Sequence, residues 1–170
     1  GAGADFAARD LDFACRADLT VCPTASAAAD LAARGVPAPM VLPSGVDLER
    51  FLTPQARPPD YAGDGRPVAV YVGADDHRFD AALLATAAAA LPQARWVVVG
   101  RVGERSATVL RAAGVTLLGP RSHADLPAYL QHARLGVVPF RLGAARASLQ
   151  DVNPLKVLEY AASGLPMVAT

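Results

Sequence analysis

The stretch Val68-Ala-Val-Tyr-Val72 decides the fold, because it is apolar at every position and suits a strand that is buried on both faces. Four further short apolar segments follow it, separated by helical patterns. The five predicted strands are residues 68–72, 96–99, 115–118, 135–138 and 167–169. Predicted helices between them are residues 79–91, 104–113, 126–133 and 154–162. This alternation indicates an α/β fold, with a parallel sheet that helices cover on both faces.

Ligands of such Rossmann-like sheets bind beyond the carboxyl ends of the strands, near the point where the strand order reverses. The loops at that edge are predicted to be residues 73–78, 100–103, 119–123 and 140–153. The last of them is longer than an ordinary strand-to-helix turn, which suits a loop that closes over a substrate. The first lacks the G-x-G-x-x-G pattern, so a dinucleotide-binding fingerprint is absent.

The last predicted helix carries most of the chemistry. Asn153 is a favourable N-cap, Pro154 suits the first helical position, and Gly164 ends the helix. The unpaired N–H groups and the dipole at a helix start favour an anion such as a nucleotide diphosphate. Lys156 adds a positive charge there. The carboxylate of Glu159, one turn later, can accept hydrogen bonds from two ribose hydroxyls.

A solvent-facing ion pair between Lys156 and Glu159 explains the same spacing. The helical period places Leu155, Leu158 and Ala162 in one apolar stripe and Glu159 at its edge. Lys156 is the single lysine beside fifteen arginines, which favours a local need for a compact charge. The binding site and the ion pair both remain open at this point.

Three segments resemble retaining glycosyltransferases with the GT-B fold, family 4 in particular. The run from Asn153 to Thr170, with Asp151 placed seven intervening residues before Glu159, resembles the E-x7-E signature of that family. Ala17-Asp-Leu-Thr-Val-Cys-Pro-Thr-Ala-Ser26 is similar to one of its strand-and-turn segments. Val41-Leu-Pro-Ser-Gly-Val-Asp-Leu-Glu-Arg-Phe51 is similar to a second conserved stretch of the family.

The resemblance implies a domain organisation. Residues 1–45 are expected to be the end of an N-terminal acceptor domain whose remainder lies outside this chain. Residues 46–66, which are rich in proline and glycine, are expected to be an interdomain linker. Residues 67–170 would then be a truncated, Rossmann-like nucleotide-sugar-binding domain. The alternative is that the first strands and helices extend the second part as one sheet.

The implied activity is transfer of a sugar from a nucleoside diphosphate sugar, such as a UDP or GDP sugar, with retention of configuration. The acceptor would be a sugar or a lipid-linked acceptor bound by the missing domain, so this fragment alone is expected to be inactive. Lys156 and Asp151 are the predicted catalytic residues, with Lys156 stabilising the leaving diphosphate. No metal and no cofactor is expected.

The remaining nucleotide-binding predictions rest on the same resemblance. The helix is predicted to contribute Asn153, Leu155, Lys156 and Glu159, and the strand-end loops Gly73, Arg78, Arg101, Gly119, Arg121 and Arg141. Ala74 stands where the family has an arginine that touches the diphosphate, and Arg78 is expected to replace a later lysine. Arg121 is expected either to stack on the base or to face water.

Two other functions are compatible with the sequence. A non-catalytic nucleotide-binding module derived from a glycosyltransferase is favoured by Ala74 and by Asp151, which is one methylene shorter than the family's glutamate. A nucleotide-sugar epimerase of the same fold is the other. A phosphorylase on this fold would need a pyridoxal phosphate bound to a lysine, for which only Lys156 is available.

The charge composition indicates which kinds of partner the protein can bind. The net charge is zero, which argues against a nucleic-acid partner. Residues 66–170 hold eleven basic and seven acidic residues, so this part is the expected host of an anionic ligand. Cys15 and Cys22 lack metal-ligand spacing. With no signal peptide, we predict a cytoplasmic protein, and the resemblance adds peripheral contact with the inner face of the cell membrane.

Other polar residues give no strong signal. Asp75, Asp76 and His77 are adjacent in one loop, where neighbouring side chains point in different directions, so they are expected to be solvated rather than to bind a metal. His77, His123 and His132 are scattered along the chain. The sequence therefore offers no Ser-His-Asp triad and no acid/base pair for glycoside hydrolysis.

Overall fold

A computed structural model describes residues 2–63, 65–141 and 154–170. Contacts within the chain divide it into two compact units. The first holds residues 2–45, and the second holds the described residues from Val46 onward.

The first unit is a small α/β structure. Its elements are α1 (Ala2–Arg16), β1 (Val21–Cys22), α2 (Ala25–Ala33) and β2 (Met40–Val41). The two strands pair in parallel, and the Thr24 hydroxyl caps α2 by accepting a hydrogen bond from the Ala27 N–H at 3.1 Å. No helix in the described ranges is both long enough and apolar enough to cross a membrane.

One expectation for the first unit is wrong. The helical period predicts that Phe6 and Phe13 point inward, yet Phe13 is 71% exposed. Two strands of two residues offer too little apolar surface to cover that face of α1. The side chain of Phe6 lies outside what the structure describes.

The second unit is a five-stranded parallel sheet in the order β5-β4-β3-β6-β7. Its elements are α3 (Leu48–Leu52), a 3-10 turn (Pro59–Tyr61), β3 (Val68–Val72), α4 (Ala81–Ala90), β4 (Arg95–Val99), α5 (Glu104–Ala112), β5 (Thr116–Gly119), α6 (Leu126–Gln131), β6 (Leu135–Val138), α7 (Leu155–Ala162) and β7 (Met167–Ala169). The predicted α/β fold with a Rossmann-like parallel sheet is confirmed. The strand order reverses between β3 and β6, because the chain crosses from β5 past β4 and β3 to place β6 beside β3.

The core lies on both faces of the central strands. Every residue of β3 is buried, as its unbroken apolar sequence predicts. Tyr71 stacks on Phe79 with ring centroids 4.6 Å apart, and Leu110 packs in the same cluster. The alanines of α4 allow that helix to approach the sheet closely, with Ala81, Ala85 and Ala88 all buried.

The segment predicted to be an interdomain linker packs as part of the second unit. Phe51 and Tyr61 are almost fully buried. The Gln131 side-chain amide on α6 donates to the Phe51 carbonyl at 2.8 Å, and the Arg57 guanidinium donates to the Tyr61 carbonyl at 3.0 Å. The role of this segment in joining two domains stays a prediction.

Helix α7 differs from its prediction in start and in rotation. It begins at Leu155, with Pro154 rather than Asn153 in the N-cap position, and Gly164 follows it at a φ of +65°. The predicted apolar stripe is wrong at Leu155, which is 55% exposed, whereas Ala162 is buried as predicted. The buried residues of the helix are Glu159, Tyr160 and Ala162. The large ring of Tyr160 fills the space under the helix better than Leu155 would.

Tyr160 fixes α7 to the sheet. Its hydroxyl accepts a hydrogen bond from the Val72 N–H at 2.8 Å, at the end of β3. A Cβ atom on Gly136 of β6 would lie 2.5 Å from the Tyr160 ring, so only glycine leaves room for the ring. This contact sets the position of α7 above β3 and β6.

Candidate functional site

The candidate site lies where the strand order reverses. The loop after β3 begins at Gly73, Phe140 follows β6, and the first turn of α7 carries Lys156. The Lys156 ammonium lies 5.0 Å from the centre of the Phe140 ring. A Cβ atom on Gly73 would lie 2.6 Å from the same ammonium. The three segments therefore meet at one point of the sheet edge, as the topology predicts.

Lys156 is held by aromatic rings. Its Nζ donates to the Tyr71 hydroxyl at 2.9 Å and lies 4.2 Å from the centre of that ring. Burial lowers the pKa of Lys156 to about 8. Burial also raises the pKa of Tyr71, which therefore keeps its proton and donates it to the Ala74 carbonyl at 3.0 Å. The ammonium is desolvated, yet within the described ranges it has only this one hydrogen bond to the protein.

Two glycines make room for this arrangement. Gly73 has a φ of +151° and Gly100 a φ of +150°, in the region that favours glycine. A Cβ atom on Gly100 would lie 1.9 Å from the Gly73 carbonyl oxygen. The Gly73 N–H donates to the Val99 carbonyl at 2.9 Å, and the Gly100 N–H donates to the Gly119 carbonyl at 2.9 Å. The strand-end loops thus support one another, and Gly100 is a residue to which the sequence analysis gave no role.

Arg78 lies near the ammonium, and Arg141 contacts the backbone of Arg78 and Phe79. Arg78 donates through Nε to the Asp76 carboxylate at 3.0 Å, and its guanidinium lies 5.6 Å from the Phe140 ring centre. Burial alone would raise the pKa of Asp76, but the hydrogen bonds from Arg78 lower it. The Arg141 N–H donates to the Arg78 carbonyl at 2.7 Å, and Arg141 Nε donates to the Phe79 carbonyl at 3.1 Å. Both arginines lie at the predicted edge of the sheet, and some of their donors are already bonded to protein groups.

Glu159 is buried, with 8% of the residue exposed. Its Oε1 lies 2.8 Å from His123 Nε2, in the loop after β5. The other ring nitrogen of His123, Nδ1, lies 2.8 Å from an Arg50 guanidinium nitrogen. Glu159 therefore does not pair with Lys156, and the solvent-facing ion pair is wrong. His123 was missed because 36 residues separate it from Glu159.

Arg121 is bound within the protein. Its Nε donates to the Tyr129 hydroxyl at 2.8 Å, and Nη1 donates to the Leu118 carbonyl at 2.7 Å. Its Nη2 lies 3.3 Å from the Asp60 carboxylate, which also accepts a hydrogen bond from Tyr129 at 2.5 Å. The hydrogen bond from Tyr129, reinforced by Arg121, lowers the pKa of Asp60. Arg121 thus fastens the 3-10 turn to the sheet edge.

The other predicted residues are spread around the site. Arg101 is exposed and contributes its carbonyl to the Asp75 N–H at 2.9 Å. Leu155 is exposed at the start of α7. Asp151 and Asn153 lie outside the described residues. In the part of the chain that the structure describes, no three His, Cys, Asp or Glu side chains come close enough to hold a metal ion.

The start of α7 suits an anion. Within the described ranges, no protein acceptor binds the N–H groups of Leu155 and Lys156, whereas the Val157 N–H donates to the Pro154 carbonyl at 3.0 Å. A half-buried ammonium, two such N–H groups and a carboxylate one turn later match a ligand with an anionic part and neighbouring hydroxyls.

Sequence comparison gives one family. The family described as glycosyl transferases group 1 matches residues 66–170, well over half of the chain. No curated protein is significantly similar to the chain in sequence.

Solved structures share the fold. Sucrose-phosphate synthase from Thermosynechococcus elongatus superposes with a TM-score of 0.72 at 22% identity, covering 94% of this chain and 42% of that one. HepE from Anabaena, in complex with UDP and glucose, gives 0.69 at 17% identity, with 94% and 46% covered. HepE in complex with UDP-glucose gives 0.67 at 18% identity, with the same coverage. The chain thus spans less than half the length of these proteins, and the likeness shows the fold.

Proposed function

The chain belongs to the group 1 glycosyltransferase family, and from this membership we propose that it binds the nucleoside diphosphate sugar from which the whole protein transfers a sugar. The observation that carries the proposal is the half-buried Lys156 ammonium at the reversal of the strand order, one turn before the buried Glu159 carboxylate. Similar structures contain UDP or UDP-glucose, which supports a UDP sugar as the donor.

Lys156 is proposed to bind the diphosphate. An ammonium has three donors, and Tyr71 occupies one of them, so two remain for phosphate oxygens. The surrounding rings of Tyr71 and Phe140 exclude water, which strengthens the attraction between the ammonium and an anion. The N–H groups of Leu155 and Lys156 add donors on the same side of the helix start.

Glu159 is proposed to bind the ribose. An ionised carboxylate only accepts hydrogen bonds, so it selects hydroxyl donors over phosphate. His123 occupies Oε1, and within the described ranges no donor occupies Oε2. A ribose whose two hydroxyls point at Oε2 would complete the hydrogen bonding of this buried charge.

The proposed reaction is transfer of the sugar with retention of configuration, without a metal or a cofactor. Negative charge grows on the diphosphate as the bond to the sugar breaks, and Lys156 together with the start of α7 stabilises that charge. Arg78 and Arg141 are proposed to add positive potential at the entrance. Asp151 is proposed to contact the sugar, and the acceptor, a sugar or a lipid-linked sugar, is proposed to bind to a domain outside this chain.

Calorimetric titration with UDP, GDP and ADP tests the proposal. Replacing Glu159→Ala removes a charged hydrogen-bond acceptor, so we expect a loss of about 1.5–3 kcal/mol, or roughly 10–150-fold in affinity. Glu104→Ala is the matched control, because that glutamate is exposed on α5 and pairs with Arg111. Equal affinity in the Glu159 variant and the parent would remove Glu159 from the site.

An assay of sugar transfer tests whether this chain is active by itself. Because the chain spans less than half of its structural relatives, we expect it to bind nucleotide and to transfer no sugar by itself. A product assay with UDP-glucose on the chain checks this. Turnover at an ordinary enzyme rate would show that the acceptor site also lies within these residues.

A further inference from the structure

His123 lies between two charged residues of the second unit. Its Nε2 is 2.8 Å from Glu159 Oε1, and its Nδ1 is 2.8 Å from an Arg50 guanidinium nitrogen. We call these three side chains the Arg50–His123–Glu159 relay. The contacts join residues that are 73 and 36 positions apart.

The hydrogen bonds fix the tautomer of the ring. A guanidinium has donors and no acceptor, so Nδ1 of His123 must accept from Arg50 and carries no proton. In a neutral imidazole the other nitrogen then carries the proton, so Nε2–H donates to Glu159. The relay therefore has one direction, from Arg50 through His123 to the carboxylate.

Neighbouring groups hold the relay in place. Arg50 is tied back to Asp47, whose carboxylate lies 3.5 Å from Arg50 Nε. Phe51 meets the His123 ring edge to face, with centroids 5.6 Å apart. Both ring nitrogens are occupied, so the ring cannot take a proton from a substrate without breaking a hydrogen bond.

We propose that His123 is a positioning residue that orients the Glu159 carboxylate toward a ribose, and that Arg50 holds His123 in the tautomer required for this. The inference rests on the proposed nucleotide-sugar binding. The carboxylate of a glutamate turns freely about its last torsion, and a donor fixed on Oε1 leaves Oε2 in one orientation. The relay thereby gives the site a preference for ribose over 2′-deoxyribose.

Titration of the full chain with UDP and with 2′-deoxy-UDP tests this preference. We expect the parent protein to bind UDP about tenfold more tightly, since one hydroxyl-to-carboxylate hydrogen bond distinguishes the two ligands. His123→Ala should remove most of the preference while changing the affinity for 2′-deoxy-UDP less than about twofold. His123→Gln, whose amide can donate to Glu159, should restore part of the preference.

His132→Ala is the matched control. Its Nε2 lies 2.8 Å from the Gln55 carbonyl, away from Glu159, so the variant should keep the full preference. A His123→Ala protein that keeps the parent's preference overturns the inference and leaves the proposed function intact. A parent protein that binds neither nucleotide contradicts the proposed function itself.

Nitrogen-15 NMR of the histidine rings tests the relay without a ligand. We expect His123 to carry its ring proton on Nε2, and Arg50→Met to let both tautomers appear because the donor on Nδ1 is gone. A His123 ring that carries its proton on Nδ1, or on both nitrogens, overturns the proposed role of Arg50 and of His123.

Discussion

Two cations at the same sheet edge have opposite surroundings. Lys156 is half-buried and, among the residues that the structure describes, makes one hydrogen bond, to the Tyr71 hydroxyl. Arg121 remains partly exposed, yet its guanidinium bonds to Tyr129, Leu118 and Asp60. Within the described ranges, protein groups thus use one donor of Lys156 and most of the donors of Arg121. A ligand site is expected where a charge is left unsatisfied, and a structural role where it is satisfied.

The chemistry of the two side chains explains the difference. A guanidinium presents five donors in a rigid fork and can bind several fixed groups at once, whereas an ammonium is a compact charge whose donors rotate. Arg121 fastens elements that are far apart in sequence. Lys156 is stabilised by the rings of Tyr71 and Phe140, contacts that use none of its N–H donors apart from the one on the Tyr71 hydroxyl.

The largest effect is expected from removing the glycine beneath the Lys156 site. Gly100→Ala would place a Cβ atom 1.9 Å from the Gly73 carbonyl oxygen at a positive φ, and we expect a loss of about 3–5 kcal/mol in the free energy of unfolding. Gly114→Ala is the control, since its φ is +78° but no atom lies within 4 Å of the added Cβ. Urea unfolding of both variants measures the difference, and equal losses would mean that the loops after β3 and β4 can separate.

The second largest effect is expected from removing the charge of Lys156. Lys156→Met keeps the length of the side chain and removes a buried charge, so nucleotide diphosphate affinity should fall by about 2–3 kcal/mol. The same change should raise stability by about 1 kcal/mol, or ~2–4 °C in Tm, because no ammonium is desolvated on folding.

Calorimetry and thermal unfolding measure the two effects of this variant together. Arg101→Met, which removes an exposed cation from the same edge, should leave Tm unchanged. A Lys156→Met protein that loses stability would show that the ammonium supports the fold rather than the ligand.

Arg121 should behave in the opposite way. Arg121→Met leaves Asp60 with Tyr129 alone, and we expect unfolding to become easier by about 1–2 kcal/mol, a loss limited by solvent around this half-exposed pair. Affinity for UDP should stay within about twofold of the parent, since the guanidinium is bound inside the protein. A large loss of UDP affinity at unchanged stability would place Arg121 in the ligand site after all.

The smallest effect is a pH dependence. Lys156 has a pKa of about 8, against 10.5 for an ordinary lysine, so its charge is lost as the pH rises through 8. UDP affinity should fall about fourfold between pH 7 and 8.5 if only the charged form binds. Since the unfolded lysine binds its proton more tightly, the stability of the parent relative to Lys156→Met should rise between pH 8 and 10.5. Titration at several pH values and pH-dependent unfolding check both signs.

Local sequence patterns predicted the sheet well. The strands at residues 68–72, 135–138 and 167–169 match their predictions residue for residue, because apolar runs between turn residues define buried strands. Helix α7 was predicted in the right place, with Ala162 correctly inward and Leu155 wrongly so, since Tyr160 and Gly136 fit together across 24 positions of sequence. A helical period cannot show that fit.

The sequence predicted those residues of the candidate site that lie close together along the chain. Lys156 and Glu159 share one helix, so their spacing was informative. His123 and Asp60 find their partners 36 and 61 residues away, through contacts that depend on the sheet order. The hydrogen bonds of Arg121 to Asp60 and of His123 to Glu159 Oε1 depend on those contacts. No motif in the sequence predicts them.

Gly136 and Tyr160 have a consequence for the evolution of this family. The ring of Tyr160 occupies the space that a side chain at position 136 would need, and its hydroxyl takes the Val72 N–H. A larger residue on β6 can be accepted only if the aromatic residue on α7 shrinks, which would shift the helix and everything it carries. We expect the two positions to covary among homologues that keep the packing of α7 against the sheet, and to drift independently in lineages that have lost it.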